Sequence, residues 1–331
     1  MRVLVTGGAG FIGSHFVKHL VASGDDAVVL DKLTYAGNPA NLDGTDAELV
    51  VGDVADPEVV ARAGAGCDAA VNFAAETHVD RSILSSRDVI ATNVLGVQVL
   101  LEWARETGAR LVHVSTDEVY GDLETGGSST EEDALRPSSP YSAAKAAGDL
   151  QVVAHVRTYG VDAVVTRGSN TYGPNQYPEK LLPLFVTNAL DGEPLPLYGD
   201  GAQVRDWLFV EDHCAAIAAA LASGSAGEIY NVGGGDEREN RDVARMIVAA
   251  TGASPDLVRH VEDRAGHDRR YSLDSTKIRR ELDWQPRVPL DEGFARTVAW
   301  YRDNRAWWES IKQSGGYREY YERQYAARLS T

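Results

Sequence analysis

Cysteine is almost missing from this chain: Cys67 and Cys214 are the only two among 331 residues, 147 positions apart. A disulfide framework is therefore not expected, and two reduced, partly buried thiols are. The eight histidines form no zinc-type pair with one another or with the cysteines, so no structural metal is expected. Apolar runs of membrane-spanning length are also lacking, which excludes a bilayer helix. Residues 1–6 run straight into a glycine turn, not the cationic start and long apolar stretch of a secretion signal, so a cytoplasmic location is expected. Positive charge is scarce: 32 Lys and Arg face 49 Asp and Glu, a formal charge of −17. Such a surface repels a nucleic-acid backbone, and nucleic acid is not an expected partner. One stretch reverses the balance, since residues 259–280 hold seven Lys/Arg against four Asp/Glu. A basic island in an acidic chain suggests a small anionic ligand held locally.

What is present in quantity is alternation. Apolar, β-branched segments at 2–6, 27–30, 48–51, 68–73, 110–115 and 162–167 are separated by helix-length segments at 11–23, 57–63, 88–107 and 140–159. Strand–helix alternation at this spacing predicts an α/β fold with a doubly wound parallel sheet of Rossmann type. After residue 167 the texture changes. Residues 170–183 read as a long ordered loop, followed by helices near 184–190, 210–223, 241–251 and 290–310 and strands at 195–198, 204–209 and 229–232. The expected organisation is a dinucleotide-binding domain over 1–168 and a smaller C-terminal lobe over 169–331. A segment near 205–235 is expected to return to the first domain.

Gly7, Gly10 and Gly13 follow the first strand and open the first helix. Glycines there permit a tight turn and let backbone N–H groups approach a pyrophosphate at the positive helix end. Asp31 lies eighteen residues beyond Gly13, at the end of the second strand. A carboxylate there accepts from an adenosine ribose and repels a 2′-phosphate, which favours NAD over NADP. Lys32 beside it softens that preference, and Asp53 with Val54 after the third strand is expected near the adenine.

Ser138-Ser139-Pro140-Tyr141 has the form of a helix start. Tyr141 and Lys145 are then one turn apart on the same face, where an ammonium is expected to lower the phenol's pKa towards neutrality. Such a tyrosine can take a proton from a sugar hydroxyl as its carbon gives up hydride. A second constellation, Ser115-Thr116-Asp117-Glu118, ends the fifth predicted strand. Simple hydride transfer has no use for two adjacent carboxylates; elimination of water does.

The chain resembles the extended short-chain dehydrogenase/reductases, and among them the dTDP-glucose 4,6-dehydratases, from residue 1 to about residue 308. The resemblance rests on GGAGFIGSH (7–15), DKLTYAGN (31–38), AAETHVDRS (74–82), STDEVYG (115–121), YSAAK (141–145), SNTYGPNQYPEKL (169–181), LYGDG (197–201), RDWLFVEDH (205–213) and RAGHDRRY (264–271). It implies oxidation at C4 of a bound sugar, loss of water across C5 and C6, and return of the hydride to C6. Tyr141 would be the base at the C4 hydroxyl, Thr116 would bond the C4 oxygen, Glu118 would take the C5 proton, and Asp117 would protonate the leaving C6 hydroxyl. Lys145 would orient the nicotinamide ribose. The implied NAD contacts are Gly7, Gly10, Phe11, Ile12, Gly13, Asp31, Lys32, Leu33, Thr34, Asp53, Val54, Phe73, Ala74, Ala75, Glu76, Thr92, Asn93 and Ser115, besides Tyr141 and Lys145. For the dTDP-sugar the matching positions are Thr116, Asn170, Glu179, Lys180, Leu181, Arg205, Asn240, Arg264, His267 and Tyr271, with His78 expected near the sugar or cofactor. Arg205 and Arg264 suit the diphosphate, because guanidinium forks match phosphate oxygens. Arg269, Arg270, Arg279 and Arg280 are expected to pair with the acidic surface instead.

Two departures stand out. Thr171 replaces the second of two asparagines usual before Tyr-Gly-Pro, and Gly168 stands where the family often has Cys. The rivals are other sugar-nucleotide enzymes of the fold: 4-epimerases, decarboxylases and GDP-mannose-type dehydratases. Asp117 is the residue that separates them, because these usually lack the acid before Glu118. A non-catalytic NAD-sensing protein would be expected to lose Tyr141 or Lys145. The family also implies a homodimer through the helices at 88–107 and 140–159.

Overall fold

A computed structural model describes residues 1–123 and 126–329. Its strands are β1 (Arg2–Thr6), β2 (Asp26–Asp31), β3 (Glu48–Val51), β4 (Ala69–Asn72), β5 (Arg110–Thr116), β6 (Ala163–Gly168), β7 (Asn170–Tyr172), β8 (Leu195–Tyr198), β9 (Val204–Phe209), β10 (Ile229–Val232), β11 (Glu237–Glu239) and β12 (Val258–Val261). The principal helices are α1 (Phe11–Ala22), α2 (Pro57–Ala63), α3 (Val79–Leu84), α4 (Arg87–Ile90), α5 (Gly96–Thr107), α6 (Pro140–Tyr159), α7 (Leu181–Asp191), α8 (Val210–Ser223), α9 (Asn240–Thr251), α10 (Thr276–Leu282), α11 (Leu290–Asp303), α12 (Arg305–Lys312) and α13 (Gly315–Tyr321).

Seven parallel strands form the main sheet in the order β10-β6-β5-β4-β1-β2-β3. The central strands are apolar on both faces, because helices cover both: Val3, Leu4, Val5, Val71, Leu111 and Val112 are all fully buried. The chain winds outward from β1 to β2 and then crosses to β4 on the other side. That reversal opens a crevice at the carboxyl ends of the strands, where ligands of such folds bind. β10 pairs with β6 in parallel, so residues 229–232 extend the first sheet from the far half of the chain.

The remaining strands form two small sheets, β11-β9-β7 and β12-β8, around a second core. Phe185, Leu195, Phe209, Ile247, Tyr301 and Trp308 are buried there, and the late aromatic Tyr325 joins them.

Several elements depart from the expected pattern. Residues 170–172, read as loop, are β7, because β9 supplies a parallel partner at Trp207–Phe209. The helix expected over 88–107 is interrupted: α4 gives way to a π turn, Ala91–Leu95, before α5. The helix expected over 290–310 divides at Asn304 into α11 and α12. The C-terminal helix α13 has no counterpart in the expectation, although its Tyr317 and Tyr320 are buried.

Candidate active site

A cavity of about 350 Å³ runs along the crevice from the glycine turn to the end of β5. Gly7 turns the chain at φ +69, and a Cβ there would lie 2.6 Å from the Ala74 nitrogen. A Cβ on Gly13 would lie 2.3 Å from the Gly7 carbonyl, so these two positions have room only for hydrogen. Gly10, Phe11, Ile12 and Gly13 line the cavity beside Gly7. The N-terminus of α1 opens on it without a side-chain cap, leaving its first N–H groups available to an anion.

Asp31 lines the same cavity. Its Oδ2 accepts from the Ala9 N–H at 3.0 Å and its Oδ1 from the Leu33 N–H at 2.8 Å, which ties the turn to β2. Burial raises its pKa, and these two N–H groups oppose the rise. Leu33 itself takes a left-handed φ of 53 and does not reach the cavity. Lys32 pairs with Asp53 at 2.6 Å, so its charge is answered inside the rim it shares with Thr34 and Val54. Phe73, Ala74, Ala75, Glu76 and Thr92 line the opposite wall. Asn93 does not; it is buried behind that wall, accepting from the Glu76 N–H at 2.9 Å and donating to the Glu76 carbonyl at 3.0 Å. The π turn is what places Thr92 in the cavity and Asn93 behind it. Glycines backed by neighbouring backbone, an uncapped helix end and a carboxylate at the end of β2 in one groove fit an adenine dinucleotide.

At the far end, Ser115, Thr116, Asp117 and Glu118 meet Tyr141 and Lys145. The first four leave β5 into a single 3₁₀ turn, Asp117–Tyr120, and the Thr116 hydroxyl donates to Asp117 Oδ1 at 3.1 Å and accepts from the Glu118 N–H at 3.3 Å. Tyr141 and Lys145 project from the first turns of α6, which Ser139 caps in a reciprocal box with Ser142. Lys145 is buried and its ammonium donates to the Val114 carbonyl at 2.6 Å. The Ser115 hydroxyl and Asp117 Oδ2 are buried without a hydrogen-bond partner among the described residues, and both residues line the cavity.

Burial governs the proton affinities here. It raises the Asp117 carboxyl well above the ordinary carboxylate range, and the Glu118 charge adds to the rise against the pull of Arg205. Burial lowers Lys145 to about 8, with the Asp149 charge opposing. The Tyr141 phenol was expected to fall towards neutrality; burial and Glu118 raise it instead, and only the Thr116 hydroxyl pulls it down.

The expected sugar-side residues divide into two groups. Asn170, Glu179, Lys180 and Leu181 line the cavity, and Lys180 donates to the Thr77 carbonyl at 2.7 Å. Glu179 is buried and paired with Arg81 at 2.9 Å. Arg81 is stacked between the Tyr35 and Tyr320 rings, 4.0 and 4.2 Å from their centroids. His78 lies in an adjoining cavity, next to the Tyr320 hydroxyl at 3.3 Å. Arg205, Asn240, Arg264, His267 and Tyr271 do not line the main cavity. They gather beyond it: Arg205 lies over the Tyr271 ring at 4.3 Å, and Arg264 pairs with Asp80 at 3.3 Å. His267 is lowered to about 4 by burial and by the Arg264 and Arg205 charges, with Asp263 opposing. Arg269, Arg270 and Arg280 pair with Asp200, Glu237 and Glu281.

Sequence reasoning passed over Arg81, although it lies inside the AAETHVDRS motif, and over His213. The His213 ring is buried against the cavity, its Nδ1 2.7 Å from the Thr171 hydroxyl. A Cβ on Gly168 would lie 2.6 Å from His213 Nε2. The two departures from the family pattern therefore meet at one imidazole.

Because the folded pKa of Asp117 lies above the 3.8 of an exposed aspartate, its contribution to stability is complete in acid and is lost as pH rises through the folded value. Asp117→Asn, which keeps the neutral shape, should gain stability relative to the parent as pH rises from the ordinary aspartate value towards neutrality. Denaturant unfolding across that range measures it, and parallel pH profiles for the two proteins would contradict a raised Asp117.

The model of the GDP-mannose 4,6 dehydratase family matches residues 4–297. A dTDP-glucose 4,6-dehydratase of Streptomyces niveus is 55% identical over 323 residues, covering 94% of this chain and 96% of that protein. A crystal structure of a dTDP-glucose 4,6-dehydratase from Streptomyces venezuelae, with NAD and dTDP bound, superposes with a TM-score of 0.92 at 55% identity over 94% of this chain and 100% of that one. A Thermus thermophilus UDP-glucose 4-epimerase in complex with NAD shares the fold at a TM-score of 0.87 and 36% identity, over 92% and 100% of the two chains. With identity of this extent along nearly the whole chain, and the acid pair in the cavity beside Tyr141 and Lys145, the chain belongs to the dTDP-glucose 4,6-dehydratase family of extended short-chain dehydrogenase/reductases.

Proposed function

We infer that this protein converts dTDP-glucose to dTDP-4-keto-6-deoxyglucose and water, with NAD as a cofactor that is used and restored within each turnover. The observation that carries this reading is the buried Asp117 carboxyl, raised by its surroundings, next to Glu118 in the same cavity as Tyr141 and Lys145. Two adjacent carboxyl groups in different environments separate an acid from a base. A 4-epimerase, which eliminates nothing, needs neither.

The residues divide the proton work. Tyr141 takes the proton of the C4 hydroxyl, and the Thr116 hydroxyl beside it in the cavity holds the C4 oxygen. When bound, NAD would supply what side chains cannot: an acceptor for the C4 hydride that can give it back at C6, and a positive charge that would favour the Tyr141 phenolate. With C4 a ketone, the C5 hydrogen is acidic and Glu118 removes it. Asp117, whose protonated form burial favours, gives its proton to the C6 hydroxyl, which leaves as water. Glu118 returns its proton to C5, Tyr141 returns its own to Asp117, and the side chains are reset. Gly7 to Gly13 and Asp31 hold the dinucleotide, and Ser115 and Lys145 face its reacting end. Arg205 and Arg264 hold the sugar's diphosphate, with Asn170, Glu179, Lys180, Leu181, Asn240, His267 and Tyr271 shaping that half of the site. Residues 1–168 with β10 thus serve mainly the cofactor, and residues 169–331 mainly the nucleotide sugar.

A homodimer through α5 and α6 belongs to this reading. Leu95, Leu150 and Tyr159 on or beside those helices are 50%, 59% and 54% exposed, an apolar face that a second copy would cover. No helix among the described residues is long and apolar enough to cross a membrane, and we assign the reaction to the cytoplasm on the chemistry of its substrates.

Purified protein incubated with dTDP-glucose, UDP-glucose and GDP-mannose, without added cofactor, should remove one water from dTDP-glucose, as mass spectrometry reads it. Loss from another sugar alone, or from none, would overturn the substrate assignment. Asp117→Asn should slow water loss by about 10²–10⁴-fold while leaving C4 oxidation much faster than that; equal slowing of both steps would refute Asp117 as the acid. Light scattering should give twice the 35.7 kDa chain mass, and Leu150→Glu should return the monomer.

A further inference from the structure

Beneath the cavity, a buried polar chain joins the turn that carries Asp117 and Glu118 to the helix that carries Tyr141 and Lys145. Tyr120 ends the 3₁₀ turn. Its hydroxyl donates to Asn231 Oδ1 at 2.7 Å and accepts from Arg167 Nη1 at 2.8 Å. The same guanidinium lies 4.8 Å from the Tyr120 ring centroid, and its Nε donates to Asp149 Oδ2 at 2.8 Å. Asp149 follows Lys145 by four residues in α6, so the two project from one face. Tyr120, Asp149, Arg167 and Asn231 are all at most 5% exposed.

Four polar side chains buried this deeply are a poor way to hold a fold together. An ion pair taken out of water loses hydration that its attraction only partly returns, and apolar side chains of the same volume stabilise a core as well. What the ion pair supplies is geometry. One planar guanidinium holds Asp149 through Nε and Tyr120 through Nη1, which fixes the distance between helix and turn. Burial pushes the Tyr120 phenol up to about 12, so it keeps the proton it donates to Asn231. The redox pair has further anchors of its own, the Lys145 bond to the Val114 carbonyl and the Ser139–Ser142 box. The acid turn is otherwise tied to α6 by apolar packing, Val119 and Tyr120 against Ala146.

We propose that Tyr120 and Arg167 are positioning residues that set Asp117 and Glu118 against the sugar held by Tyr141 and Lys145, so that elimination follows oxidation without a pause. The proposal rests on the dehydratase reading. Its consequence is selective: loosening the chain leaves oxidation at C4 in place and misplaces the groups that act at C5 and C6.

Tyr120→Phe removes one oxygen and keeps the ring against Arg167, and Val119 remains buried as a second anchor for the turn. Rapid mixing of the purified protein with dTDP-glucose should follow C4 oxidation by the near-ultraviolet absorbance of reduced nicotinamide, and quenched samples should follow water loss by mass. In Tyr120→Phe, water loss should slow by about ten-fold while oxidation changes by less than about two-fold, so that reduced cofactor accumulates within the first turnover. Arg167→Lys, which keeps the charge and loses the fork, should shift the ratio of the two rates further the same way. A purely structural role would lower the melting temperature and leave the ratio of rates at the parent value, and that result in Tyr120→Phe overturns the proposal even if Arg167→Lys fails to fold. Absence of water loss in the parent protein would instead sink the dehydratase reading itself.

Discussion

Exclusion of water at the carboxyl end of β5 is the condition on which the chemistry of this protein depends. β5 lies inside the sheet between β4 and β6, and α6 packs over it. One physical cause then acts in three directions at once. It raises a carboxyl at Asp117, raises a phenol at Tyr141 and lowers an ammonium at Lys145, because each neutral form loses less on leaving water. Glu118, one residue further along the 3₁₀ turn, is partly exposed, and the step from buried to half-exposed distinguishes two chemically similar neighbours.

The same burial makes the connections around β5 expensive to satisfy and therefore specific. The cofactor wall is held from behind by Asn93, the glycine turn by Asp31, and the acid turn by Tyr120. None of these three needs to touch the sugar. Each takes up backbone or side-chain groups that would otherwise be unpaired at the edge of the cavity. Gly168 and Thr171 add a fourth case, where a missing Cβ and a hydroxyl together accommodate the His213 ring.

Much of the architecture could be read from the chain because its signals are local. The glycine turn is a matter of backbone conformation at Gly7 and close approach at Gly13, and the parallel sheet follows from short apolar runs separated by helices. Features that depend on distant partners were harder to see. β7 is a strand only because β9 lies beside it, and α13 is ordered because Tyr317 and Tyr320 find cover under residues far away in sequence. Arg81 carries no local signal of its role, yet it is clasped by Tyr35, Glu179 and Tyr320 from three separate parts of the chain.

The residue types at 115–118 and 141–145, with the glycine turn ahead of them, determined by themselves that redox and elimination chemistry share one substrate. Their spacing also determined that Tyr141 and Lys145 occupy one helix face, since that is a property of the helix alone. Only the tertiary structure decided the directions in which the Asp117 carboxyl and the Tyr141 phenol move, and the diversion of Lys145 to the Val114 carbonyl. A pKa reports how much water and charge surround a group, and those surroundings are assembled from β5, β6, α6 and Arg205 together. No stretch of sequence contains them.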